Sequence, residues 1–401
     1  MKIDMCMLKL LKFFLACIPV CMLCGCWSKI EVNDRAFARV MLLDRTNEGI
    51  EMTLGFPLPN RLSSTSKGGG GGSSSKPFTF VTKTGRDVGE AFRKIQADLS
   101  RRVTFGQLRH IVMGKEFAQS GIKPVVDFSS REFAIHINAY LFISEDKAKS
   151  ITSIPVTFEE FPTDILTQFA KERQTIMVTV KDMLMSAFNH GDLVIPMLVF
   201  GRKGVESEEN KENWMGTDGA GVIRNGKMIG KLTDEETQGA LWVLKQLNYS
   251  AYDVNSPTDN KPVNFLIRNA RTHLKAQVHG DDISIQIECK AMAGILGTES
   301  AIDVNEPTEL RKLELLLNEK IKDRIRRAVA VSKTLKSDIF QFANYIKWRY
   351  PGRWKDLRPE WGERYADQVR VDPRVNISVK WFGISQRPQW NRILPGTEEN
   401  K

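Results

Sequence analysis

The sequence predicts an α+β chain of more than one domain, with mixed and antiparallel sheets, packed helices and one long helix near the C-terminus. Three patterns carry that expectation. Strand-length and helix-length apolar runs alternate between residues 37 and 143, which is the signature of layered sheet and helix. Runs with two-residue alternation follow one another between 263 and 289, and apolar residues from Leu310 to Ala328 recur at three-and-four spacing.

Residues 37–43 and 50–56 read as a hairpin around 44–49. Asp44, Thr46, Glu48 and Gly49 resemble the opening of a calcium loop, but no Glu stands at the closing position, so the segment reads as a turn. Residues 63–76, with Gly68 to Gly72 and six Ser, have no apolar surface to offset ordering entropy and predict a mobile loop. A phosphate cradle would need Lys-Ser or Lys-Thr opening a helix directly after the glycines. Residues 78–82 resume the sheet, and Val88, Ala91, Phe92, Ile95 and Leu99 mark a helix. A buried strand follows at 108–113, then a short helix from Phe117 to Gly121, then a strand at 134–143 with Ile135, Ile137 and Ala139 on one face. Residues 155–205 are less regular, with helices at 161–171 and 180–189, and could form a small middle domain.

An acidic and polar run at 206–213 marks a boundary, which divides the chain into a leader (1–25), an N-terminal α/β domain (26–205) and a C-terminal α+β domain (215–390). In the latter, Asn225-Gly226 joins two apolar runs as a tight hairpin whose central residues need positive φ. Thr233 and Glu236 form a capping box for a helix running through Trp242, Leu244 and Leu247. Residues 263–268, 272–278 and 283–289 read as consecutive antiparallel strands. Residues 308–331 give a helix of roughly 36 Å at 1.5 Å per residue. A second helix at 337–346 and a closing strand through Val375, Ile377, Val379 and Trp381 complete the chain.

The N-terminus carries the sharpest functional signal. Lys2, Lys9 and Lys12 precede about twelve uncharged residues, fewer than the roughly 20 that span a bilayer as a helix, so the segment reads as a signal peptide. It ends in Leu23-Cys24-Gly25-Cys26, a lipoprotein cleavage box: small residues fit the peptidase, and the Cys26 thiolate accepts a diacylglycerol group. Of six cysteines only Cys289 lies beyond this region, at the end of the alternation Ile283, Ile285, Ile287, which predicts a buried thiol. About 375 mature residues bury a core large enough to dispense with disulfides.

The formal charge of +10 becomes about +8 once residues 1–25 are removed, since they hold three Lys and one Asp. A basic, exported, tethered protein is drawn to anionic lipid headgroups and wall polymers, and a nucleic-acid partner is not expected. The histidines His110, His136, His190, His273 and His279 occur singly, with no zinc-binding spacing. No Gly-x-Ser-x-Gly elbow occurs, and the glycines of 216–221 lack the strand-to-helix context of a dinucleotide site. His273 shares a strand face with Lys275 and Gln277, and Lys322, Arg324, Arg326 and Arg327 read as a solvated helix face. The expectation is no catalysis, no cofactor and no metal.

Cys26-Trp27 followed by Glu31, Asn33 and Asp34, the stretches 85–95 and 106–121, and residues 219–242 resemble the Ger(x)C family of spore germination lipoproteins. Asp338-Ile-Phe, Trp348, Pro351, Trp354, Trp361 and the strand 375–383 resemble its C-terminal signature. The resemblance spans nearly the whole mature chain, with the Gly-Ser segment at 63–76 as the departure. It implies a non-enzymatic C subunit of a nutrient germinant receptor, lipid-anchored through Cys26 on the outer face of the spore inner membrane. Its implied partners are two integral membrane subunits, and its implied role is receptor assembly or signalling.

Residues 347–361 interleave Trp348, Tyr350, Trp354 and Trp361 with Arg349, Arg353, Lys355 and Arg358. Such a mixture suits a packed cap on the C-terminal helices or a partner surface, and Trp348, Arg349, Arg353, Trp354 and Trp361 are the candidates for the latter. Two other function classes stand beside the receptor reading: a lipoprotein solute-binding component of a transporter, which usually has two similar lobes, and a wall-acting hydrolase.

Overall fold

The computed structural model describes residues 31–58, 77–154, 161–172, 175–189, 191–201 and 215–381. The cleavage box with Cys26, the Gly-Ser segment 63–76, His190 and the boundary run 206–213 lie outside these residues.

Fourteen strands and ten α-helices are present among the described residues. An eight-stranded sheet uses β2 (Val40–Thr46), β3 (Gly49–Pro57), β4 (Phe78–Gly85), β6 (His110–Gly114), β7 (Tyr140–Ser144), β8 (Leu193–Phe200), β9 (Met215–Arg224) and β10 (Lys227–Leu232). They run in the order β10-β9-β8-β7-β6-β2-β3-β4. The central pairs β2·β6, β6·β7 and β7·β8 are parallel, and the flanking pairs are antiparallel. A parallel pair, β1 (Arg35–Phe37) with β5 (Arg102–Thr104), sits apart at one end.

Val40 to Leu43 are all buried because both faces of this sheet are covered, as parallel strands require. Met41 and Leu43 face a layer made by α1 (Val88–Ala97), α2 (Lys115–Ser120), α3 (Lys123–Arg131) and α5 (Val180–Asn189). Val40 and Leu42 face Ile151, Phe161 and Leu166, the last on α4 (Asp164–Lys171). Asp44 is buried at this second face, where its carboxylate accepts the N–H groups of Ala148 (2.7 Å) and Lys149 (2.9 Å). It caps the 3-10 helix Ala148–Ser153.

The second sheet orders β11 (Tyr249–Asn255), β12 (Pro262–His279), β13 (Asp282–Thr298) and β14 (Val369–Trp381), with β13·β14 parallel and the rest antiparallel. Helix α7 (Pro307–Thr334) lays Leu313, Leu317, Ile321, Ile325 and Ala328 into the core, so the three-and-four stripe is its buried face. Helix α6 (Asp234–Val243) starts at the Thr233–Glu236 capping box and crosses α7 so closely that a Cβ on Gly239 would lie 2.2 Å from Arg324 O. Trp242, fully buried, donates its indole N–H to Tyr252 Oη at 3.0 Å. One continuous apolar core joins the two sheets.

Several expectations need correction. Residues 134–139 are successive turns, with Ile135 N–H bonded to Glu132 O and Ala139 N–H to His136 O; only 140–144 is strand, and Ile137 is exposed. The turns bury Ile135 and Ala139 and turn Ile137 outward, so the three do not share one face. Residues 263–268 and 272–278 form a single strand, because a bulge with positive φ at Asn269 keeps the ladder running where a reversal needs two such residues. The helix expected at 337–346 begins at Phe342: Asp338 accepts the N–H groups of Phe342 and Ala343 and holds 337–341 in a bend. Arg324 is buried, with its guanidinium 4.6 Å over the Tyr252 ring and bonded to Gln238, so the basic cluster is not a uniformly solvated face. Strands β8 and β9, on either side of residues 206–213, pair directly within the eight-stranded sheet.

Candidate interaction surface

The aromatic and basic segment after α7 folds into three short helices, α8 (Phe342–Arg349), α9 (Pro351–Leu357) and α10 (Trp361–Asp367). They wrap around Asp338, which is buried at the end of the bend that follows α7. Its carboxylate accepts two backbone N–H groups and the indole N–H of Trp361 at 2.9 Å. Burial nevertheless pushes the Asp338 carboxyl up to about 6, those three donors oppose the rise, and the neighbouring Asp192 carboxylate adds to it. Burial raises Asp192 as well, against a hydrogen bond from Ser337. Tyr365 closes the cluster, its hydroxyl 2.8 Å from Ser332 Oγ.

The structure divides the five candidate residues. Trp361 packs edge-on to Trp354, with ring centroids 5.3 Å apart, and stacks on Tyr365; both tryptophans are half-buried and hold the cap together. Trp348, Arg349 and Arg353 face outward, and Trp348 is 72% exposed. Trp348 rests edge-on against Tyr345, whose hydroxyl accepts from Lys245 Nζ at 3.1 Å. Arg349 lies over the Tyr350 ring, and Arg353 donates to Gly280 O at 2.8 Å in the β12–β13 turn. Exposed aromatic and cationic side chains of this kind are enriched at protein interfaces.

Sequence reasoning missed the Asp192–Asp338 pair. The available signal was an Asp set among Ile339, Phe340 and Phe342, where a solvated carboxylate has no place.

The remaining polar candidates are dispersed. His110 is fully buried, bonded to Thr167 Oγ1 at 2.9 Å, and burial with the nearby Arg39 and Arg109 pushes its pKa down to about 3. His136 bonds Gly106 O at 2.8 Å, while His273 and His279 are exposed on β12. Cys289 is 1% exposed beside Thr272, and burial pushes its thiol up to about 11. Among the described residues, no group of three or more His, Cys, Asp or Glu side chains is placed to hold a metal ion, and no helix is long and apolar enough to cross a membrane.

Residues 28–200 match the spore germination protein N-terminal domain, and residues 218–383 match the spore germination B3/GerAC-like C-terminal domain, in that order. The chain belongs to this family of spore germination proteins. Relatives of this family in Bacillus subtilis (strain 168) include the putative spore germination protein YfkR, 26% identical, with 89% of this chain and 93% of that protein covered. Spore germination protein KC is 23% identical over 95% of this chain and 97% of its own length, and spore germination protein B3 is 24% identical over 92% and 96%. The fold matches the crystal structure of the GerBC protein, with a TM-score of 0.54 at 17% identity, covering 88% of this chain and 99% of that one.

Proposed function

We propose that this spore germination protein is the C subunit of a nutrient germinant receptor, tethered by a lipid on Cys26 to the outer face of the spore inner membrane and acting without catalysis. The carrying observation is the order of three features: the cleavage box ending at Cys26, the N-terminal domain from residue 28, and the C-terminal domain to residue 383. Two integral membrane subunits are the partners in this reading, and Trp348, Arg349 and Arg353 on the cap are the surface assigned to them. The subunit would serve receptor assembly or signalling.

The test is affinity purification of the tagged subunit from detergent-solubilised spore membranes. The reading expects two multispanning membrane proteins in stable ratio with it, lost or weakened in Trp348→Ala/Arg353→Ala. Recovery of the subunit alone from membranes that contain both partners contradicts it.

A further inference from the structure

Where the tether joins the body of the protein decides which surface meets the bilayer. Cys26 and Glu31 are five residues apart, so the chain between them spans at most about 18 Å. The 3-10 turn Val32–Asp34 and β1 follow at once, and β1 pairs with β5 at Arg35↔Arg102. The turn after β5 is bonded to the 132–139 segment through His136 and Gly106 O. One end of the eight-stranded sheet therefore carries these pieces together.

That end is unusual in composition. Phe133 is 100% exposed, Val32 71% and Ile137 53%, three of the larger apolar side chains left in solvent. Beside them Arg101, Arg102 and Arg109 are exposed and make no salt bridge among the described residues. The acidic groups on these segments are Glu31, Asp34 and Glu132, and Asp98 is engaged by Lys83 at 2.6 Å. Exposed apolar side chains on segments that also expose guanidinium groups fit the interface of an anionic bilayer, where rings enter the headgroup boundary and cations meet phosphate.

We infer that this end, formed by Val32, Arg101, Arg102, Arg109, Phe133 and Ile137, docks onto an anionic lipid surface and fixes the orientation of the subunit. The inference rests on the Cys26 tether. Docking gives the tethered subunit a defined pose, with the β1–β5 end against the membrane.

The test uses lipidated protein on vesicles of phosphatidylcholine with or without phosphatidylglycerol and with a spin-labelled quencher lipid. An environment-sensitive dye is placed at Phe133→Cys or, as control, at Leu296→Cys on the second sheet; buried Cys289 stays unlabelled in folded protein. Docking predicts blue-shifted, quenched emission at 133 on phosphatidylglycerol vesicles, water-like emission at 296, and loss of quenching in Arg101→Glu/Arg102→Glu or at high salt. Protein that floats with vesicles but shows water-like emission at 133 overturns the docking while leaving the tether intact. Quenching unchanged in the charge-reversed variant overturns the anionic-lipid assignment. Protein that fails to float removes the tether and the inference with it.

Discussion

Trp361 donates its indole N–H to Asp338 Oδ2 at 2.9 Å, and through this bond a ring of the C-terminal cap is fastened to a carboxyl buried at the end of the long helix. Hydrogen bonds to a charged group contribute about 1.5–3 kcal/mol, and removing one leaves the buried acceptor short of a donor. Trp361→Phe is therefore expected to lower stability by about 2–3 kcal/mol in urea unfolding and to move the Asp338 titration, followed by carboxyl carbon resonance, above about 6. An unchanged titration would mean that the indole does not hold the carboxylate.

The same carboxyl makes stability depend on pH. Asp338 is pushed from 3.8 up to about 6 on folding, so the folded chain holds a proton that the unfolded chain releases between those values. Its favourable contribution is full below about pH 4 and is lost as pH rises through 6, on the order of 3 kcal/mol in all. His110 opposes this. Its pKa falls from 6.5 to about 3, so its contribution is full above 6.5 and is lost as pH falls toward 3. Asp338→Asn should remove the Asp338 component and His110→Gln the opposing one. Urea midpoints at pH 7.5, 6 and 5 for parent and variants check both signs.

The apolar patterns exposed most elements because burial imposes them: the α7 stripe, the Asn225-Gly226 turn with φ of 52° and 75°, and the Thr233 capping box all stand where the residues placed them. What stayed hidden depended on contacts distant in sequence. Strand β8 has no alternation because both its faces are covered, and α3 follows α2 with only two residues between. Arg324 is buried only because Gly239 lets α6 approach, and no local pattern reports that. In the candidate surface, the aromatic and basic composition was legible, but the inward turn of Trp354 and Trp361 depends on Asp338 and Tyr365.

Gly239→Ala tests the close crossing of α6 and α7. A methyl 2.2 Å from Arg324 O and 2.5 Å from its carbon cannot be absorbed without moving one helix. A loss of about 2–3 kcal/mol is expected from such overpacking, read as a lower thermal midpoint. Retention of the parent midpoint would show that the helices separate freely.

Cys289 should react with thiol reagents only as fast as the protein opens. It is 1% exposed, and its thiol is pushed up to about 11, leaving little thiolate at neutral pH. Labelling that is slow in buffer and rapid in denaturant is the expected result; rapid native labelling would place Cys289 on the wrong face of β13.

The proposed function stands on a lipid tether at Cys26. Two or more acyl chains hold a protein on a membrane where one is marginal, so losing the lipid releases it. The decisive measurement is optical-density loss of spores carrying Cys26→Ala, triggered by nutrient and, separately, by an agent that bypasses nutrient receptors, with subunit abundance measured alongside. A greatly reduced nutrient response with an intact bypass response is expected. Full nutrient response from spores holding unlipidated subunit at normal abundance would contradict it.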